Sequence, residues 1–181
     1  LVTRLPDQES FTSELLVNDS WSGSRVTRLP DSDRLFPSGC SNERTAGLHI
    51  NAVMPDVILV YLGTNDWARG VETYDFHGNE LSGVPEASFE FAYEDMTKKL
   101  KKNYPDAEIW CCTLNSTFIS GNPFFSFPYE YGGRHIDEYN EIIARLAAEN
   151  NCRLIDFNAY HWAYDSIDGS HPSLAGMNTL A

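Results

Sequence analysis

Residues 55–67 read Pro55-Asp56-Val57-Ile58-Leu59-Val60-Tyr61-Leu62-Gly63-Thr64-Asn65-Asp66-Trp67. Val57 to Leu62 is an unbroken apolar and aromatic run, rich in β-branched residues and too short for an ordinary helix. Such a run reads as a strand buried on both faces in the middle of a parallel sheet. Gly63-Thr64-Asn65-Asp66 favour turns and irregular backbone, and so end it. In an open parallel sheet the ligand crevice lies just past the carboxyl ends of the strands. The stretch is therefore expected to be a core strand that delivers a polar loop, with Asn65 and Asp66 on it, to the active face.

Downstream, Phe89, Ala92, Met96 and Leu100 fall at three- and four-residue steps and predict a helix from about Pro85 to Asn103, ended by Pro105. Glu108 to Leu114 reads as a second buried strand, in which the adjacent Cys111 and Cys112 point to opposite faces. Ile136, Tyr139, Ile142, Ile143 and Leu146 predict a second amphipathic helix over His135 to Asn150, and Cys152 to Ile155 the next strand. Strands and helices alternating with crossovers of this length predict an α/β fold, a three-layer sandwich around a central parallel sheet. Upstream, Leu15-Leu16-Val17 reads as a short strand running into Asn18-Asp19-Ser20-Trp21-Ser22-Gly23-Ser24, a turn-forming segment where backbone can approach a ligand. Residues 1–13 are patternless, 30–47 form a surface loop, and 69–85 are irregular. The aromatic-rich stretch 115–133, with Phe118, Phe124, Phe125, Phe127, Tyr129 and Tyr131, is a loop long enough to be functional, or else caps the core. Val2-Thr3-Arg4-Leu5-Pro6-Asp7 recurs letter for letter from Val26 to Asp31; a single short copy is not a solenoid repeat.

The chain of 181 residues suits one domain, and 42% hydrophobic content supports a real core. Its 13 basic and 26 acidic residues leave a net charge of −13, which argues against nucleic acid or an anionic membrane as partner. Lys98, Lys99, Lys101 and Lys102 cluster at a helix end, where they complement its dipole. No apolar run approaches the ~20 residues that span a bilayer. Cys40, Cys111, Cys112 and Cys152 lack zinc-finger or disulfide-framework spacing and read as buried thiols.

Asp168-Gly169-Ser170-His171-Pro172 carries the most chemistry. An Asp three residues before a His, across a glycine turn, can fold its carboxylate onto the imidazole, fix the tautomer and stabilise the imidazolium, as the acid of a Ser-His-Asp triad does. Together, Gly63-Thr64-Asn65-Asp66 after a buried strand and Asp168-x-x-His171-Pro172 near the end resemble the SGNH, or GDSL-type, hydrolases. Asn18-Asp19-Ser20-Trp21-Ser22-Gly23 is similar to that family's Asn-x-Gly-x-Ser-Gly block, with Ser20 in place of the first glycine. The resemblance covers residues 14–176. It implies an α/β/α fold and a serine esterase with no cofactor. His171 would match the general base, Asp168 its orienting carboxylate, the Asn65 amide and the Ser20 N–H the oxyanion donors, and Gly63, Gly23, Asp66 and Trp67 their surroundings.

The family's first block, Gly-Asp-Ser, which supplies the nucleophile, occurs nowhere in the chain. One account is a sequence incomplete at its N-terminus and cut within the last helix. Another makes Asp19-Ser20 the Asp-Ser pair, at the cost of the second block. Ser10, Ser13, Ser22 and Ser24 have less to recommend them. The expected activity is hydrolysis of small, acetyl-type esters, on a carbohydrate or similar polar alcohol, with Trp67, Trp162 and the 118–131 aromatics as stacking platforms. The alternatives are a ligand-binding domain without turnover, and metal-assisted hydrolysis by Asp66, Asp168 and His171. Dinucleotide binding fails because no Gly-x-Gly-x-x-Gly follows a strand.

Overall fold

In the computed structural model, which describes residues 2–6, 13–28, 37–73, 87–122, 126–127, 130–131, 133–159 and 163–180, the strand at the centre of the sequence reading is Val57–Val60. Ile58 and Val60 are wholly buried, while Val57 and Leu59 are half-buried. The run is thus not sealed equally on both faces, because an apolar run records only that neither face is fully wet.

In chain order the elements are β1 (Val2–Pro6), β2 (Ser13–Asn18), α1 (Asn42–Ala46), β3 (Val57–Val60), α2 (Thr64–Ala68), α3 (Phe89–Asn103), β4 (Glu108–Cys112), β5 (Ser116–Phe118), β6 (Ser126–Phe127), β7 (Glu130–Tyr131), β8 (Arg134–His135), α4 (Ile136–Glu149), β9 (Arg153–Ile155), β10 (Ala163–Asp165) and α5 (Leu174–Leu180). The main sheet has the order β2-β1-β3-β4-β9. β3 pairs parallel with β4 (Ile58 with Ile109) and β4 with β9 (Cys111 with Leu154). β1 runs antiparallel to both of its neighbours, with Val2 opposite Asn18 on one side and Leu59 on the other. β2 and β3 therefore point the same way, and their carboxyl ends meet at one edge. The expected α/β fold with a parallel sheet is the one observed, apart from the reversed β1, which lies in a stretch whose sequence shows no strand period.

The helices follow their apolar faces. α3 buries Phe89, Ala92, Tyr93, Met96 and Leu100, and α4 buries Ile136, Tyr139, Ile142, Ile143 and Leu146. These form one core cluster with Ile58, Val60, Ile109 and Cys111, in which the Phe89 and Tyr139 rings meet edge-on at 4.9 Å. α4 opens on a capping box: Asp137 N–H donates to the His135 ring, and His135 N–H donates to Glu138 Oε1. Lys101 and Lys102 occupy the last turn of α3, while Lys98 and Lys99 pair one turn back with Glu94 and Asp95. Among the described residues no helix is long and apolar enough to cross a membrane.

Three expectations change. Residues 63–66, expected as turn and irregular backbone, instead cap and open α2. It is capped by Gly63 at φ +133°, where a Cβ would also press on the Phe89 ring at 3.1 Å. The 30–47 segment contains α1. The 115–133 loop contributes β5, which pairs in parallel with β10 and antiparallel with β6 in a second, three-stranded sheet. That second sheet aims the segment after β10 at the carboxyl ends of β2 and β3.

Candidate active site

The turn after β10 assembles as its spacing predicts. Asp168 Oδ2 lies 2.7 Å from His171 Nδ1, and Asp168 Oδ1 accepts from the backbone N–H groups of Ser170 (3.1 Å) and His171 (2.9 Å). Hydrogen bonds from the backbone and ring of His171 foremost, and from the Ser170 N–H, hold the Asp168 carboxyl well below the usual carboxylate range. The turn is pinned from outside by Thr117 Oγ1, which donates to Gly169 O (2.6 Å), and by Ile167 N–H, which donates to His171 O (2.8 Å). With the Nδ1 proton donated to Asp168, Nε2 carries the lone pair, a tautomer inferred from this network.

What faces that lone pair is Ser22. Its Oγ lies 3.3 Å from His171 Nε2, bridging 149 residues of sequence. The contact is slightly long, as nucleophile–base pairs often are without substrate. Ser22 sits at the tip of a turn closed by Ser24 N–H donating to Trp21 O (3.1 Å), with Gly23 at φ +78°. Arg44, on α1 and only 5% exposed, clasps both ends of this turn. Its Nε donates to Asp19 Oδ2 (2.8 Å), its Nη2 to Asp19 O (2.6 Å) and its Nη1 to Ser24 Oγ (2.6 Å).

Asn65, in the first turn of α2, donates one amide proton to Ser24 O (3.0 Å), leaving the second available to a ligand. Ser20, Ser22, Gly23, Gly63, Asn65 and His171 all line one cavity of 420 Å³, which Tyr61 and Tyr164 also wall. Ser20 differs from the expectation in one respect: its N–H donates to Asn18 Oδ1 (3.0 Å) and is spent inside the turn.

Asp66 and Trp67 do not line the cavity, contrary to the sequence reading; both are fully buried. On a helix each successive residue rotates by about 100°, so when Asn65 faces the cavity the next two turn inward. Asp66 accepts from Val26 N–H (2.9 Å), Thr27 N–H (3.0 Å) and Thr27 Oγ1 (2.6 Å). Burial raises its pKa, and these donors pull against that rise. Trp67 Nε1 donates to Arg134 O (2.9 Å). With both oxygens of Asp66 taken, Asp66, Asp168 and His171 do not form a metal site, and among the described residues no other such cluster forms. Trp162, Phe124, Phe125 and Tyr129 lie outside the described residues.

Sequence reasoning undervalued Ser22 and missed Arg44. The signal for Ser22 was its place in the Ser-Gly pair that closes the second block. An arginine in a Ser- and Asn-rich loop gives no such signal.

The family model described as the GDSL-like lipase/acylhydrolase family matches residues 8–178, and the chain belongs to that family. Among its relatives are a multidomain esterase from Ruminococcus flavefaciens, 24% identical over 88% of this chain and 19% of that protein, and the cellulase/esterase CelE of Acetivibrio thermocellus, 24% identical over 71% of this chain and 13% of that protein. The chain thus spans less than a fifth of the length of these curated relatives. A solved Lactobacillus plantarum protein superposes with a TM-score of 0.63 at 18% identity, covering 88% of this chain and 73% of that one. The native aryl esterase of M. smegmatis superposes with a TM-score of 0.56 at 16% identity, covering 88% and 71%. At these identities the structures share the fold alone. The matched family is one of lipases and acylhydrolases, and both of these relatives carry the name esterase.

Proposed function

We propose that the chain hydrolyses small acyl esters of polar alcohols through Ser22, His171 and Asp168. The observation that carries this reading is the hydrogen-bonded chain from Ser22 Oγ through the His171 ring to Asp168, beside Asn65 in a single cavity. Ser22 Oγ attacks the ester carbonyl carbon as its proton passes to His171 Nε2. The tetrahedral oxyanion accepts a hydrogen bond from the second amide N–H of Asn65. Collapse breaks the bond to the alcohol oxygen, which leaves with the proton from His171, and the acyl group remains on Ser22. Water, deprotonated by His171, repeats the sequence and releases the acid. Asp168, kept anionic, holds the ring and balances the imidazolium. Ser20 lines the same cavity, but its Oγ is not paired with His171, so Ser22 is the better placed nucleophile. A carbohydrate alcohol is in keeping with a relative named cellulase/esterase.

The second reading, ligand binding without turnover, draws on the absence of Gly-Asp-Ser and on the Ser20 N–H being committed to Asn18. A fluorophosphonate, intact mass and peptide mapping separate the two. A stoichiometric adduct on Ser22 that disappears in His171→Ala is expected. An adduct on Ser20 would move the nucleophile, and no adduct on folded protein would leave the binding reading.

A further inference from the structure

Trp21, the residue before Ser22, has no part in the chemistry above, yet 49% of its surface is exposed. A lone exposed aromatic is ordinary; Trp21 differs in how it is held and where. Its Nε1 donates at 2.7 Å to Asp19 Oδ1, and the other oxygen of Asp19 is gripped by the buried Arg44. The indole is thus fixed by a chain of charges reaching into the protein, and its exposed surface is preorganised rather than free to swing. It also lines two cavities at once: the catalytic one of 420 Å³ and a second of 250 Å³, walled by Asp19, Pro37, Glu43, Arg44 and Gly47. Trp21 is thus common to both linings, and the neighbouring residue is the proposed nucleophile.

The chemistry of the second cavity selects its occupant. Glu43 offers it a carboxylate that accepts hydrogen bonds, while both oxygens of Asp19 are taken by Trp21 and Arg44, and the guanidinium of Arg44 is committed to Asp19 and Ser24. In a chain of net charge −13 this repels anions and favours a neutral ligand that donates hydrogen bonds. A flat ring surface asks for an apolar face, since the negative face of an aromatic attracts polarised C–H groups. A neutral pyranose supplies both: axial C–H bonds on one face and hydroxyl donors around its edge. An aryl alcohol would satisfy the indole and leave Glu43 unanswered.

We propose that Trp21 is the stacking platform of a sugar subsite, on which the pyranose of the ester's alcohol part lies with its rim hydroxyls toward Glu43 and its acylated oxygen over Ser22. The acyl part of this statement rests on the ester-hydrolase reading above; the sugar-binding part does not. Two measurements keep them apart. With a mono-acetylated methyl glucopyranoside and 4-nitrophenyl acetate as substrates, Trp21→Ala should lower the ratio of their kcat/KM values by about tenfold, as expected for one lost aromatic contact. The change should appear in KM of the sugar ester, and Trp21→Phe should restore most of it. Equal losses on both esters would make Trp21 only a support of the Ser22 turn and overturn the subsite. Separately, cellotetraose and xylotetraose should bind the His171→Ala protein by calorimetry, more weakly in Glu43→Gln and not measurably in Trp21→Ala. Absence of binding by either oligosaccharide to protein retaining Trp21 overturns the proposal whether or not any ester is cleaved. Binding without hydrolysis would retain the subsite and remove the esterase reading.

Discussion

The loop after β2 and the loop after β10 meet at one hydrogen bond, yet they are held by different means. The Ser22 turn is anchored from a distance: Arg44 on α1 grips Asp19 and Ser24, and Asp66 on α2 receives the backbone of Val26 and Thr27. Both anchors are buried polar side chains. The Asp168–His171 pair is made by contacts within three residues, at side chains more than half exposed, with Thr117 bracing Gly169 from β5. The serine side thus depends on tertiary structure and the base side on local geometry, so mutation of the distant anchors should be read in stability and mutation of the facing pair in turnover.

The sharpest break is at the contact itself. Ser22→Ala and His171→Ala should each lower turnover on the order of 10⁴–10⁶-fold with no change in melting temperature, read by steady-state kinetics and calorimetry. If Ser22→Ala retains turnover within tenfold, the two loops do not form one machine. Asp168→Asn should cost about 10³–10⁴-fold, again at constant melting temperature, because it upsets the tautomer and not the core. Asn65→Ala should lower kcat on the order of 10²–10³-fold if its second amide proton serves the oxyanion, whereas a change in KM alone would make it a ground-state contact.

On the serine side the readout should be stability. Asp66→Ala strands buried donors at residues 26 and 27 and should cost about 2–5 kcal/mol, a fall of roughly 5–15 °C in melting temperature. Loss of activity without that fall would contradict the anchoring role. The mildest effect concerns pH. The folded-state pKa of Asp168 is depressed, so whatever the ionised group lends the turn is present above the ordinary carboxylate pKa of about 3.9 and is lost only as pH falls through the lower, folded value. The Nδ1–H signal of His171 in NMR should therefore persist at pH 4 in the native protein and vanish in Asp168→Asn.

Much of this was legible in the sequence wherever local pattern and tertiary placement agree. The three- and four-residue steps of α3 and α4 gave their inward faces, and Asp168-x-x-His171 gave its own hydrogen bond, since three residues and a glycine suffice to close it. Legibility failed where one side chain's role depends on a distant partner. Asp66 and Trp67 read as site residues because the polar run at 63–66 looks like a loop, and a helix beginning at Thr64 turns them inward. Ser22 gained its partner from 149 residues away. The hexapeptide Val-Thr-Arg-Leu-Pro-Asp makes the point within one chain: its first copy supplies β1, while the second begins as loop at Val26 and Thr27.

That duplication turns Asp66 into a sorting device. The two copies carry the same side chains, yet in the native fold it is the first that lies between β2 and β3. A carboxylate that captures the backbone of Val26 and Thr27 withdraws the second copy from the competition and leaves the slot to the first. The side chain that steadies the serine loop thus also holds the start of the second copy outside the sheet.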